Sequence, residues 1–421
     1  MKVGFYFDKN NAGHLDCLGI MKGNPGLGGS EYEFLLVSYL LEQRNNDIDP
    51  VLFTASPILV PHQYVITVKG IKELCDSCIK EEIPILVINQ GVFDRSFFDF
   101  YGDKISLILW AHNDMSSDQL DMFNKISYVK RIVCCGHEML DLFRDHLVTR
   151  KSTYVYNIFP LHEKAWYKSK INFCDNHNVV YMGMLHPVKG FHVLARSWKK
   201  IVNRVPDAQL YVIGSGKLYD KDAKLGKYGV ASESFERLIF PYLEDENGNL
   251  LTSVHFMGLM GVEKYDILGK CKVGVPNPTG NSETFCICGI EMQLMGCNIT
   301  TIFHPAYMDT VMNQAYLYHN TSQLADFVIR RLKAKRDNYD DLYEFISKKF
   351  NADKSIARWE HILTTINEPM VLEPCSSQRY QMKKFKNFLF KAKLMIPWLN
   401  RLPLVERFYN FYHNRLLKSN Q

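Results

Sequence analysis

Residues 282–296, SETFCICGIEMQLMG, carry two glutamates, Glu283 and Glu291, eight positions apart in an otherwise almost wholly apolar stretch. The stretch follows a strand-like run, KVGVP (272–276), and a loop, NPTGN, which places Glu283 near the carboxyl end of a strand and the start of a helix. There the amides of Thr284, Phe285 and Cys286 would lack intrahelical partners and face a ligand. Eight helical steps rise about 12 Å at 1.5 Å per residue. Two carboxylates so spaced can grip hydroxyls at opposite ends of one extended ligand, and a sugar joined through a diphosphate to a ribose has about that reach. The plainer reading makes Glu283 a partner of the helix dipole and Glu291 a solvated acid. It fits poorly with the apolar neighbours of Glu291 (Ile290, Met292, Leu294, Met295), because burying a carboxylate without partners is costly.

Other stretches have residue types suited to a binding site. YMGMLHPVKGFHVLARSW (181–198) runs from strand through glycine and loop into a helix entered at Lys189-Gly190. In GNPGLGGSEYEFLL (23–36), Gly26, Gly28 and Gly29 permit close backbone approach and positive φ. Ser30 and Glu33 have the spacing of a capping box, so a helix is expected to begin there with its amides facing the cleft. No Gly-Lys-Ser/Thr follows and the glycines do not form GxGxxG, so the loop is neither a P-loop nor a dinucleotide fingerprint. LILWAHNDMS (107–116) ends a strand with His112, then Asn113 and Asp114, and GSGKLY (214–219) follows another strand end with Gly216 and Lys217. His14, His137, His255 and His304 have no partner pattern. Cys75 and Cys78 form a lone CxxC, and Cys286/Cys288 sit inside the apolar stretch. Without a second pair at metal-ligand spacing, no metal site is expected.

The elements that position these residues alternate. Strand candidates at 2–8, 50–54, 84–89, 105–111 and 131–135 are interleaved with helical patterns such as 31–43 and 137–146. After YNIFP (156–160) the grammar restarts: strand 179–184, helix 191–204, strand 208–214, a helical 217–244, strand 253–258, helix 261–269, strand 272–276 and a final helix, 353–366. Alternation of this kind implies parallel sheets covered by helices on both faces. The expected architecture is α/β, two Rossmann-like doubly wound domains in series: residues 1–157, residues 158–367, and a basic helical tail at 368–421. Such sheets bind ligands beyond the carboxyl ends of their strands.

Composition sets the outer limits. At 421 residues, 47% apolar and 23% charged, the chain is that of a globular protein large enough for two cores. MKVGFYFD reads as a first strand rather than a signal segment, and no apolar run is long enough to span a bilayer. Eleven scattered cysteines suggest reduced thiols and a cytoplasmic protein. Charge is uneven: residues 375–421 hold ten Lys or Arg and one acid, a net of +9, whereas the remaining residues hold 40 cations and 44 acids, a net of −4. Phe385, Phe388, Leu389 and Met395 recur at near-helical spacing between those lysines, up to a break at Pro397. A basic helix with an apolar face suits an anionic membrane surface, here at the inner face of the cell membrane. The alternative is an extension packed on the body. Nucleic acid is not an expected partner, since no fold signature for it is present.

The Glu-x-Phe-x5-Glu pattern resembles the E-x7-E motif of the retaining glycosyltransferases of family 4, the group 1 type with the GT-B fold. The likeness spans about residues 1–367 and is strongest over 179–296. It implies that Glu283 and the amides of Thr284, Phe285 and Cys286 hold the donor sugar, and that Glu291 holds the ribose. Lys189-Gly190 is similar to the family's GR-x4-KG element, whose cations take up negative charge developing on the departing diphosphate; Met184 stands where the family has arginine. The likeness also places Gly28 and Gly29 beside the donor phosphates, Gly216 near the base or phosphates, and His112 near the reacting sugar. It implies a metal- and cofactor-independent hexosyltransferase, with Glu283, Lys189 and His112 as catalytic residues. That enzyme would move a sugar with retention from a UDP- or GDP-linked donor to a hydroxyl of a glycan or lipid-linked acceptor. The implied setting is cell-envelope polysaccharide assembly, in lipopolysaccharide O-antigen or capsule. Two alternatives use the same fold: a nucleotide-sugar epimerase or phosphorylase, and a catalytically weak nucleotide-sugar-binding subunit at the membrane, favoured by Met184.

Overall fold

Seven parallel strands form the first sheet: β1 (Lys2–Phe7), β2 (Asp49–Thr54), β3 (Val65–Thr67), β4 (Ile85–Asn89), β5 (Ser106–Ala111), β6 (Val129–Cys134) and β7 (Ser152–Tyr154). The computed structural model describes residues 1–9, 16–25, 27–44, 47–217, 223–376 and 379–408. The strand order is β3-β2-β1-β4-β5-β6-β7. β1 therefore lies between β2 and β4, paired Val3 with Pro50 on one side and with Ile85 on the other. Chain direction across the sheet reverses between β1 and β4, the place where doubly wound sheets open a crevice. The central strands are near-continuous apolar runs, ILVIN in β4 and SLILWA in β5, because helices cover both faces.

A second parallel sheet contains β8 (Asn178–Met182), β9 (Gln209–Ile213), β10 (Val254–Gly258), β11 (Val273–Gly274) and β12 (Asn298–Ile299), in the order β10-β9-β8-β11-β12. A short parallel pair, β13 (Thr301–Ile302) and β14 (Leu317–Tyr318), lies beyond β12 in sequence. The reversal here falls between β8 and β11, paired Val179 with Val273. Helix Phe191–Arg204 packs one apolar stripe on this sheet, and the indole of its buried Trp198 donates to Ser253 Oγ at 3.0 Å.

Contacts divide the chain into two compact units. The first comprises residues 1–15, 33–157 and 353–421; the second comprises 16–32 and 158–352. The glycine-rich segment thus groups with the second unit, and the helix Ala352–Thr364 with the first apart from its first residue.

Several elements differ from expectation. The helical 217–244 shrinks to a helix at Glu233–Ile239 and a 3-10 turn at Phe240–Tyr242, while residues 218–222 lie outside the described residues. The cause is Glu236. Its buried carboxylate accepts from the amides of Tyr228, Val230 and Ala231, wrapping 226–231 around it as a loop. A Cβ on Gly226 would lie 2.3 Å from that carboxylate. The helix expected to start at Ser30 and Glu33 starts at Gly29, and Glu31 rather than Glu33 caps it: Gly28 N donates to Glu31 Oε2 at 2.9 Å. The tail forms a helix at Tyr380–Met395 and a 3-10 turn at Pro397–Arg401. Among the described residues, no helix is long and apolar enough to cross a membrane.

Candidate active site in the second unit

Beyond β8 the chain passes Gly183 and enters a 3-10 turn, Pro187–Lys189, before helix Phe191–Arg204. His186 opens that turn, its Nδ1 accepting from the Val188 amide at 3.3 Å. Gly190 closes it in a left-handed conformation (φ 73°), where a Cβ would lie 2.8 Å from Thr279 Cγ2 and 3.0 Å from Asn277 Oδ1. The glycine after Lys189 is therefore a steric requirement of the helix start against loop 277–281. Lys189 Nζ reaches back across the sheet end and donates to the Ser282 carbonyl and to Glu283 Oε2, both at 3.3 Å. Asn277 Nδ2 donates to the same carboxylate oxygen at 3.4 Å.

The loop presenting Glu283 is fastened from below. Tyr307 Oη and Thr301 Oγ1 donate to the Asn277 carbonyl at 2.6 and 2.9 Å, and Tyr318 Oη donates to the Pro278 carbonyl at 2.7 Å. Ser282 adopts a positive φ of 51°, which turns the chain at the residue before Glu283. The helix itself runs Ile287–Leu294 with Cys286 at its N-cap, so Glu283, Thr284 and Phe285 precede it. The expectation of eight helical steps between the two acids is thus corrected: the first half of the interval, residues 283–286, is irregular chain ahead of the helix. Phe285 is buried with its ring edge-on to Phe350, and Cys286 Sγ lies 3.5 Å from Cys288 Sγ. Burial pushes the Cys286 thiol well up, which keeps it neutral.

Glu291 is buried but not alone. Lys264 Nζ lies 2.6 Å from its Oε1, and Tyr265 Oη donates to the same oxygen at 3.1 Å. Both partners come from one short helix, Lys264–Leu268, after β10. Burial, and then the Glu291 carboxylate, hold the Tyr265 phenol far above its ordinary range, so it stays a donor. The desolvation penalty anticipated for this carboxylate is met by one cation and one hydroxyl.

The glycine-rich loop joins this site. A Cβ on Gly29 would come within 3.6 Å of Ile287 Cδ1, so the loop rests on the first turn of the helix that carries Glu291. Asn24 Oδ1 accepts from Leu27 N at 2.7 Å and Tyr32 Oη donates to Ile20 O at 2.8 Å, which fixes its path. Gly26 and His14 lie outside the described residues. Further glycines line the strand ends: Gly214 (φ 136°) passes Gly183 so closely that a Cβ would sit 1.9 Å from the Gly183 carbonyl oxygen. Gly216 N donates to Val230 O at 2.9 Å, holding the 214–217 turn beside them.

Within the second unit the structure thus pairs Lys189 with Glu283 and sets Gly28 and Gly29 beside the helix of Glu291. Gly216 stays at the end of β9. His112 belongs to the first unit, at the end of β5, where its amide donates to Gln90 Oε1 at 3.0 Å. Its ring packs against Trp110 and Phe34, and burial lowers its pKa to about 3. It is therefore a neutral imidazole, suited to hydrogen bonding rather than to acid catalysis. Lys264, Tyr265 and Asn277 are polar groups of the site that sequence reasoning missed. Lys264 shares no spacing with Glu291, and only the fold shows the pair. Among the described residues, no group of three His, Cys, Asp or Glu is placed to hold a metal ion.

No family model and no curated protein matches this chain. Solved structures do. HepE of Anabaena, determined in complex with UDP and glucose, superimposes with a TM-score of 0.62 at 13% identity, covering 87% of this chain and 100% of that one. Sucrose-phosphate synthase of Thermosynechococcus elongatus gives 0.62 at 14% identity, with 87% and 99% covered. AviGT4, a glycosyltransferase involved in avilamycin A biosynthesis, gives 0.55 at 11% identity, with 87% and 98% covered. At such identities the likeness is one of fold, and the fold of this chain is that of the GT-B glycosyltransferases.

Proposed function

We propose that this chain is a retaining glycosyltransferase that takes a sugar from a UDP-linked donor and transfers it to a hydroxyl of a glycan or lipid-linked acceptor. The observation that carries the reading is the convergence of Lys189 on Glu283 at the carboxyl ends of β8 and β11, with a buried, clamped Glu291 on the helix that follows. A cation and two carboxylates at the switch point of a doubly wound sheet suit a ligand with phosphates in its middle and hydroxyls at both ends. UDP is the nucleotide named with HepE, and this supports UDP as the donor base.

In this reading the Lys189–Glu283 pair is exchanged when donor binds. Sugar hydroxyls donate to Glu283, and the Lys189 ammonium turns to the diphosphate and takes up the charge that develops as it leaves. Glu291 accepts from the ribose through its carboxylate, which Lys264 and Tyr265 hold in place. Both acids are thereby engaged as hydroxyl acceptors, so neither is free to be a nucleophile. The acceptor attacks on the face from which the phosphate departs, and the phosphate takes its proton. The reaction needs no metal, and envelope polysaccharide assembly is the proposed setting.

Calorimetric titration with UDP and GDP, together with a transfer assay on Glu283→Ala and Lys189→Ala, tests the proposal. Selective UDP binding and loss of turnover in both variants are expected. Wild-type turnover in both variants would overturn the site.

A further inference from the structure

The helix Tyr380–Met395 packs on the first unit inside out. Lys383, Lys386 and Lys393 are at most 3% exposed, and they share one face with the buried Phe390. Lys383 Nζ donates to both carboxylate oxygens of Glu138, at 2.6 and 2.7 Å, and lies 3.0 Å from Asp141 Oδ2. Lys386 Nζ donates to Glu406 Oε2 at 2.7 Å and to the Asp141 carbonyl at 2.8 Å. Lys393 Nζ lies 3.6 Å from Asp145 Oδ2. The sequence-level picture of a helix offering its lysines outward is corrected for these three.

The opposite face holds what an ordinary packed helix would bury. Residues 384, 388, 391 and 395 fall on one stripe of helical spacing and read Lys, Phe, Lys, Met. Phe388 and Met395 are 67% and 82% exposed, and Trp398 in the following turn is 66% exposed. Lys384, Lys391 and Arg401 are exposed among them. The one acid among described residues 379–408, Glu406, is buried and bonded to Lys386 and Arg379. The outward face is thus apolar and cationic, and described residues 379–408 place no exposed acid on it.

We propose that this face is a docking surface for an anionic lipid bilayer. Lysines turned inward and aromatics turned outward both cost free energy in water, and immersion of the outer face in the headgroup zone relieves the second cost. Phe, Met and Trp enter the acyl boundary, while Lys384, Lys391 and Arg401 meet lipid phosphates; this pairing of tryptophan with basic residues is the chemistry of the membrane interface. The buried lysine pairs orient the face. The surface belongs to the first unit, and the inference does not depend on the reaction assigned to residues of the second.

Sedimentation of the full-length chain with vesicles of phosphatidylcholine, with and without phosphatidylglycerol, tests it. Binding is expected to vesicles containing phosphatidylglycerol and to fall ~1,000-fold or more in the triple variant Phe388→Ser, Met395→Ser, Trp398→Ser, at roughly tenfold or more per side chain. Lys384→Glu with Lys391→Glu should remove the preference for phosphatidylglycerol. Brominated acyl chains should quench Trp398, and Trp398→Phe should abolish that quenching. Unaltered thermal melting of the variants shows that the fold survives. A wild-type chain that stays in the supernatant, as one whose outer face serves a protein partner would, overturns the proposal, as does a triple variant that sediments like wild type.

Discussion

Lowering the pH should unfold the first unit through two histidines that the fold keeps neutral. His62 Nε2 lies 2.9 Å from Ser38 Oγ and 3.1 Å from the Leu35 carbonyl, and burial lowers its pKa to about 4 against the partial support of that carbonyl. His112 is lowered to about 3 by burial. In the unfolded chain both titrate near the ordinary histidine value of about 6.5. Below that value the unfolded state binds two protons that the folded state refuses, so stability is fully present above pH ~6.5 and is lost as the pH falls toward ~4. Each histidine contributes a slope of about 1.4 kcal/mol per pH unit, and together they remove roughly 5 kcal/mol by pH ~4.5. That is comparable with the whole stability of a domain, about 5–15 kcal/mol. Burial also lowers His146, which acts in the same direction, whereas Asp114, raised by burial, acts in the opposite one. Urea unfolding at stepped pH, read by hydrogen exchange of the β4 and β5 amides, measures the slope. His62→Gln and His112→Gln should each flatten it by about 1.4 kcal/mol per pH unit, whatever they do to stability at neutral pH. Slopes equal to wild type in both variants would refute the burial argument.

Other perturbations have equally definite outcomes. Lys264→Met leaves Glu291 buried with Tyr265 alone, and calorimetry should show UDP affinity reduced about tenfold or more, the scale of one charge-assisted hydrogen bond. The same variant should discriminate less between UDP and 2′-deoxy-UDP. Gly214→Ala places a Cβ 1.9 Å from the Gly183 carbonyl oxygen at a φ of 136°; urea unfolding should show the second unit destabilised by at least ~4 kcal/mol. Glu138→Gln removes one of two carboxylates on the buried Lys383. Thermal unfolding should show a loss of about 3 kcal/mol, and limited proteolysis should cut first near helix Tyr380–Met395.

Which parts of this molecule were legible in its sequence depends on whether the deciding interaction was local. The parallel sheets were, because runs such as ILVIN and SLILWA leave no polar face for water and must be covered on both sides. Lys189-Gly190 was legible for a related reason: a left-handed turn at a helix start favours glycine wherever the chain goes next. The loop at 226–231 was hidden, since it forms around a single carboxylate, Glu236, that helical periodicity treats as one more exposed acid. Glu291 and the tail helix show the same blindness with more consequence. The apolar neighbours of Glu291 showed that a partner was needed, yet Lys264 is just one lysine in a helical run until β10 and the helix after it bring it to 2.6 Å. In the tail, Lys383, Lys386 and Lys393 share helical spacing as surely as Phe388 and Met395 share theirs with Lys384 and Lys391. Periodicity identifies two faces without saying which is inward. The choice was made by Glu138, Asp141 and Asp145, on and just beyond a distant helix, His137–Leu142, where a cluster of acids sits at the packing surface. Acids gathered at a packing surface therefore invert the usual rule, drawing cations inward and leaving the apolar side of the partner helix to find its own cover.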